Sequence, residues 1–275
     1  MIELVDSHCH LDDRRFDTDR EAVIARAMEN GVACIVNPGV DLPSSRAAVA
    51  LAQKHVHIHA AVGIHPHDAK TLDADALEQL KRLARSPKVV AIGEIGLDYY
   101  RNLSPRDVQR RALEMQLEMA AELDLPVIVH DRDAHDDVLA MLSSWSLSLR
   151  APHSTLNGKP GVLHSFSGDV ALARRAAALG FYIGISGPVT YPGLAGRAGK
   201  TADQTREVAR AIPMEQLLIE TDAPYLTPQP YRGKRNEPAY VRFVAQAVAE
   251  ARGLTLEQVA AQTWANTTAL FRLAG

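Results

Sequence analysis

Short apolar runs recur along the chain, each followed by a longer stretch whose apolar positions are spaced for one face of a helix. After an opening run that ends at Val5, residues 33–37, 58–63, 89–94, 126–129, 162–163, 181–185 and 217–221 read as strands. The first helix is expected to open on a capping box, Thr18 with Glu21, and to close at Gly31. Further helices are expected over 43–54 and 73–85, and from an N-cap at Ser104 with Pro105 in the first turn to Leu123. Others follow over 134–145 and 169–179, in a stretch ending near Ile212, over 238–252, and over 256–273 with a capping box of Thr255 and Gln258. Residues 143–161 and 192–200, rich in Ser, Pro or Gly, read as loops.

Nearly continuous apolar strands that alternate with helices predict a parallel sheet buried on both faces. Eight strand–helix units in 275 residues suit one (β/α)8 TIM barrel over 1–275, with an open doubly wound sheet as the alternative. The polar residues discriminate between the two. His8 and His10, His65, Glu94, His130, His164 and Asp222 all fall at the C-terminal ends of expected strands. A closed barrel gathers such groups at one mouth, whereas an open sheet spreads them along its edge.

Composition narrows the class. With 47% hydrophobic and 23% charged residues, the chain is an ordinary globular protein with a sizeable core. A net charge of −3 offers no general basic footprint, so contact with nucleic acid would need a local patch or bound metal. Cys9 and Cys34 are too few for a disulfide framework and read as free thiols in a reducing compartment. No apolar stretch is long enough for a membrane span and no signal segment is evident, so a cytoplasmic enzyme is expected, with no stable protein partner implied.

His8 and His10 are two apart, so strand alternation turns both rings to one face and Cys9 to the other. Each of the other groups has an ordinary explanation on its own, such as an ion pair, a core histidine or a turn. Converging in a barrel mouth they do not, because unpaired buried charge costs several kcal/mol. Four histidines and two carboxylates serve two divalent ions if one carboxylate bridges them, and Glu94 is the natural bridge. Such a pair holds a hydroxide for in-line displacement. Mixed N/O ligation admits Zn, Mn, Fe or Mg, with an all-magnesium site disfavoured by the histidines.

The chain also resembles the TatD family of metal-dependent deoxyribonucleases over nearly its whole length. The resemblance rests on Asp6-Ser7-His8-Cys9-His10, Gly63-Ile64-His65-Pro66-His67, Gly93-Glu94-Ile95-Gly96-Leu97-Asp98-Tyr99, Pro126-Val127-Ile128-Val129-His130, His164-Ser165-Phe166-Ser167-Gly168 and Glu220-Thr221-Asp222-Ala223-Pro224-Tyr225-Leu226. It implies a metallohydrolase barrel, one ion among His8, His10, Glu94 and Asp222, and another among Glu94, His130 and His164. It also implies hydrolysis of DNA phosphodiesters from a 3′ end, with single strands or 3′ ends as partners. Two features depart from the family: Ser165 stands where Cys is usual, and the 143–161 segment is longer, either a surface insertion or a shaper of access.

Asp222 is expected to join ligation to proton transfer, since barrel closure brings the last strand beside the first. Glu220 faces inward with it, either as a partner behind a ligand or in a buried ion pair. Arg232, Lys234 and Arg235 form a basic loop after the last strand, a solvated cluster or a local field for phosphates. Tyr99 and Tyr100, after Glu94, are either rim packing or base-stacking groups. His55, His57 and His59 fall at the opposite end of the barrel and read as structural. A barrel amidohydrolase or aminoacyl-ester deacylase is the alternative function, with Glu94 in place of a bridging lysine favouring the nuclease.

Overall fold

The computed structural model describes residues 2–149, 156, 158–193 and 197–273. Eight parallel strands form one sheet in chain order: β1 (Leu4–Asp6), β2 (Val32–Pro38), β3 (Ile58–Val62), β4 (Val89–Asp98), β5 (Val127–Arg132), β6 (Gly161–Leu163), β7 (Tyr182–Ile185) and β8 (Leu217–Ile219). Around them run α1 (Arg20–Glu29), α2 (Leu42–Lys54), α3 (Ala74–Ala84), α4 (Arg106–Leu123), α5 (His135–Ser148), α6 (Val170–Ala178), α7 (Arg197–Ala211), α8 (Val241–Arg252) and α9 (Leu256–Phe271). The architecture is the expected (β/α)8 barrel. No helix among the described residues is long and apolar enough to cross a membrane.

The barrel closes just above β1 and β8. The Ser7 amide donates to the Ile219 carbonyl at 3.1 Å, the Asp222 amide to His8 at 2.9 Å and the His10 amide to Ala223 at 2.8 Å. Asp6 locks this seam, its carboxylate accepting the Thr221 amide at 2.8 Å and the Thr221 hydroxyl. Burial pushes the Asp6 carboxyl up to about 8 even against those bonds.

Beneath the mouth lies a layer of Val36, Ala61, Ile128, Val162, Tyr182 and Leu218, plugged from below by Leu270 and Phe271 of α9. Ile128 shares its strand face with His130, Val162 with His164, and Leu218 with Glu220, so this apolar layer is the floor of the polar site. A far larger apolar cluster between strands and helices encloses the barrel.

Several local expectations are corrected. Helix α1 has no Thr18–Glu21 box: its N-cap is Asp19, which makes no capping bond because its carboxylate is held by Arg235 at 2.6 and 2.8 Å. The N-cap of α4 is Pro105; Ser104 instead donates its hydroxyl to the His67 carbonyl at 2.9 Å. Strand β5 continues past His130 to Arg132. Helix α5 continues to Ser148, shortening the expected 143–161 loop, part of which lies outside the described residues. Helix α7 begins at Arg197, within the expected 192–200 loop. An unforeseen capping box, Asp41 with Ser44, opens α2, whereas the Thr255–Gln258 box of α9 forms as expected.

The largest correction concerns β4, which runs on through Glu94 to Asp98. Its register against β5 shifts between Ile92 and Ile95, so Glu94 sits at an irregularity inside the strand. The extended strand carries Asp98 up to the histidines.

Candidate metal centre

The six expected ligands reach the mouth on five strands. His8 and His10 follow β1, Glu94 lies within β4, His130 within β5, His164 just after β6 and Asp222 just after β8. Asp222 has a φ of 55°, a left-handed conformation uncommon outside glycine. Its backbone is held there by the seam bond to His8. All six side chains are largely withdrawn from solvent, Glu94 to 3% exposure, so their charge is only weakly screened by water.

The two oxygens of Glu94 face different donor sets. Oε2 lies 3.3 Å from His8 Nε2 and 3.5 Å from His10 Nε2, and those nitrogens are 3.1 Å apart. Asp222 Oδ1 completes this set at 3.8 Å from His8 and 3.6 Å from His10. Oε1 lies 2.9 Å from His130 Nδ1 and 2.8 Å from His164 Nε2, themselves 3.4 Å apart. Metal–donor bonds of about 2.05 Å in a tetrahedral sphere put neighbouring donors about 3.3 Å apart. Both sets therefore have the spacing of groups arranged around a divalent ion.

The outer ring nitrogens decide which lone pairs point inward. His10 Nδ1 pairs with the Pro38 carbonyl at 3.2 Å, and His130 Nε2 with Asp98 Oδ2 at 3.2 Å. Each outer nitrogen then carries the proton and leaves the inner one free to ligate. His164 Nδ1 faces Glu220 Oε1 at 3.6 Å, a charge contact longer than a hydrogen bond. His65 is different. Its Nδ1 accepts the His67 amide at 3.1 Å, so in the neutral ring the proton sits on Nε2, which points at Glu94 Oε1 from 3.3 Å. Burial lowers His65 to about 4, keeping it neutral, and the ring acts as a hydrogen-bond donor to Glu94.

Electrostatics organise the rest. Burial opposes charge on Glu94, but the charge of His164 and hydrogen bonds from His130 and His164 hold its carboxyl well below the usual range. Asp222 is lowered against burial by its bond from His10, and His10 is raised against burial to about 9 by Asp222 and Glu94. His130 and His164 are raised in the same way, by Asp98 and Glu94 and by Glu94 and Glu220 respectively. His8 is lowered, by burial and then by the charge of His164. Without metal the carboxylates are thus balanced by protonated histidines, and an ion entering must displace those protons.

Asp98 is the residue sequence reasoning missed. Fully buried, it accepts from His67 Nε2 at 2.9 Å as well as bracing His130. The available signal was its place in Gly93-Glu94-Ile95-Gly96-Leu97-Asp98, four residues past Glu94 and on the same face by alternation.

The remaining expected residues divide. Glu220, fully buried, accepts the Ser165 amide and the Ser7 hydroxyl (3.3 Å) behind His164. Ser165 spends its hydroxyl on Ser186 at 2.9 Å. Tyr99 donates its hydroxyl to Asp137 at 2.6 Å and lies under Arg106, a packed position on the flank of α4 and α5. Arg235 is bound to Asp19, whereas Arg232 stacks on Tyr191 at 3.9 Å and Lys234 is exposed. His57 and His59 engage the Ala33 carbonyl and Cys34 at the far end of the barrel, and both cysteines are free and buried.

Residues 5–272 match the family described as TatD related DNase. The chain belongs to the TatD family. It is similar to the uncharacterized metal-dependent hydrolase YabD of Bacillus subtilis, 40% identical over 98% of this chain and 99% of that protein. It is also similar to the 3′-5′ ssDNA/RNA exonuclease TatD of Citrobacter rodentium, 42% identical over 98% of this chain and 97% of that one. The crystal structure of YjjV, a TatD homologue from Escherichia coli, superposes with a TM-score of 0.88 at 33% identity, covering 99% of both chains. This TatD family member is a metal-dependent hydrolase, and its mouth carries the His/Glu clusters able to hold metal.

Proposed function

We propose that this protein hydrolyses phosphodiester bonds of single-stranded DNA from the 3′ end, with two divalent ions held in its barrel mouth. One observation carries the reading: the two oxygens of Glu94 are divided between His8, His10 and Asp222 on one side and His130 and His164 on the other. A single carboxylate so divided suits two adjacent charges of the kind that stabilise both oxygens of an in-line phosphoryl displacement. Relatives at about 40% identity named as ssDNA/RNA exonucleases support the substrate class.

His8, His10, Glu94 and Asp222 would hold one ion, and Glu94, His130 and His164 the other. Zn, Mn and Fe suit this mixture of nitrogen and oxygen donors, whereas Mg, which takes oxygen ligands, suits the histidine-rich sets less well. When bound, such ions neutralise phosphate charge and acidify water. Asp222, with one oxygen turned to His8 and His10, keeps a second oxygen to accept the proton of an attacking water and pass it toward the leaving oxygen. His65 holds Glu94 in place from the other side. Arg232 and Lys234 supply positive field on the rim beyond Asp222.

The test is incubation of purified, metal-loaded protein with 5′-labelled single-stranded DNA, with and without chelator, alongside single-stranded RNA and an aminoacyl ester. The expected result is stepwise shortening of DNA that stops on chelation, with two ions per chain by metal analysis. Intact DNA beside a cleaved ester would replace the nuclease with a deacylase.

A further inference from the structure

Two half-exposed tyrosines stand on opposite rims of the mouth. Tyr225, just after β8, is 48% exposed, with its ring 6.3 Å from that of His10 and the Arg15 guanidinium 4.1 Å above it. Its backbone is pinned at both ends, the amide donating to the Asp222 carbonyl at 2.8 Å and the carbonyl accepting the side-chain amide of Asn236 at 2.6 Å. Asp13 grips Arg15 at 2.8 and 3.0 Å and so fixes the plane of its guanidinium. Tyr100, just after β4, is 49% exposed, with the Arg132 guanidinium 4.0 Å above its ring. Arg132 ends β5 two residues beyond His130, and the loop carrying Tyr100 hangs from Asp98, which accepts the Arg101 amide at 2.7 Å and braces His130.

Because the strands run in order and the seam joins β8 to β1, the rim above β4 and β5 faces the rim above β8 and β1 across the mouth. The Glu94 cluster lies between them. Neither ring is used to fill the core, yet each stands on the rim of the mouth with a guanidinium over it. An exposed aromatic face carrying a guanidinium offers a nucleobase a stacking surface and a neighbouring phosphate a positive charge.

We infer that Tyr225 with Arg15 and Tyr100 with Arg132 are two stacking platforms, which grip the bases on either side of the scissile phosphate of a single strand. The inference rests on the nuclease reading above. Two bases must then be splayed from any neighbouring strand, so a paired 3′ end is a poor substrate and two nucleotides are the smallest good one. One platform holds the nucleotide to be released and the other the nucleotide that becomes the new end.

The test measures KM and kcat of the metal-loaded enzyme on short single-stranded oligonucleotides, for Tyr225→Ala, Tyr100→Ala and the two Tyr→Phe variants. Each oligonucleotide is made intact, abasic at the terminal residue, or abasic at the penultimate one. Each Ala variant is expected to raise KM about tenfold with kcat within about threefold and metal content unchanged, and Phe to restore KM. Each Ala penalty should vanish on only one abasic oligonucleotide, a different one for each tyrosine. KM within about twofold of wild type for both Ala variants, or a penalty that persists on both abasic substrates, overturns the platforms while the nuclease stands. A wild-type enzyme that cleaves no oligonucleotide overturns the nuclease reading, and the platforms with it.

Discussion

Buried Glu94 and part-buried Asp222 are both carboxylates held anionic by histidines, yet their surroundings assign them different work. Glu94 has both oxygens committed to histidines, whereas Asp222 turns Oδ1 to His8 and His10 at 3.6–3.8 Å. Asp222→Asn keeps a carbonyl oxygen toward those histidines and removes the proton acceptor. We expect it to retain bound metal and DNA binding while turnover falls by about two orders of magnitude or more, read from metal analysis and single-turnover rates on one preparation. Outright loss of metal would make Asp222 chiefly a ligand, and an unchanged rate would send the proton elsewhere. Asp98 works one step behind, through His130. For Asp98→Asn we expect metal affinity to drop about 10- to 100-fold with the fold intact, checked by titration with a competing chelator. Affinity within about twofold of wild type would leave His130 oriented by Glu94 alone.

At the scale of elements, strand β4 does most to place the site. Its register shift puts Glu94 inside the barrel and its continuation delivers Asp98. Gly96 makes that path possible: its φ is 148°, and a Cβ there would lie 1.9 Å from the His130 carbonyl oxygen. Ala at this position must push aside the backbone of β5, the strand that carries His130. Gly96→Ala is therefore expected to cost about 3 kcal/mol or more in urea unfolding and to weaken metal binding. A loss under about 0.5 kcal/mol would show that β5 yields freely at this point. The basic loop after β8 is likewise an element with a divided role, because Arg235 anchors α1 through Asp19 whereas Lys234 remains exposed.

For the whole molecule, closure of the barrel concentrates titratable groups in one low-dielectric mouth, and stability becomes tied to pH and metal. His10 rises from 6.5 to about 9 on folding, so its contribution is complete below pH 6.5 and disappears as pH climbs through 9. Asp6 acts in the same direction: raised from 3.8 to about 8, it favours the folded state below pH 3.8 and loses that contribution as pH rises through 8. The chelated protein should therefore lose Tm steadily between pH 6.5 and 9. Metal loading at pH 7 should release protons and flatten that decline, since ligands must bind in their deprotonated forms. Thermal scans with and without chelator check this, and parallel Tm curves for the two forms would refute the coupling.

The alternation of short apolar runs with helical stretches determined the barrel, because a parallel sheet covered on both faces needs that pattern and few folds accommodate eight repeats of it. The period of two along strands determined that His8 and His10 share a face, and the polar ends of the apolar runs marked which side chains would meet. Contacts between distant segments decided the rest. Asp19 could not be read as an uncapped N-cap while Arg235 lay 216 residues away, and Ser104 lost its expected cap to the carbonyl of His67. The division of Glu94 between two donor sets, the proton position on His65, and the pairing of Asp98 with His130 each depend on ångström-level placement. Local periodicity shows which face a side chain takes, but its partner there depends on barrel closure and strand register, which arise only when distant strands pack together.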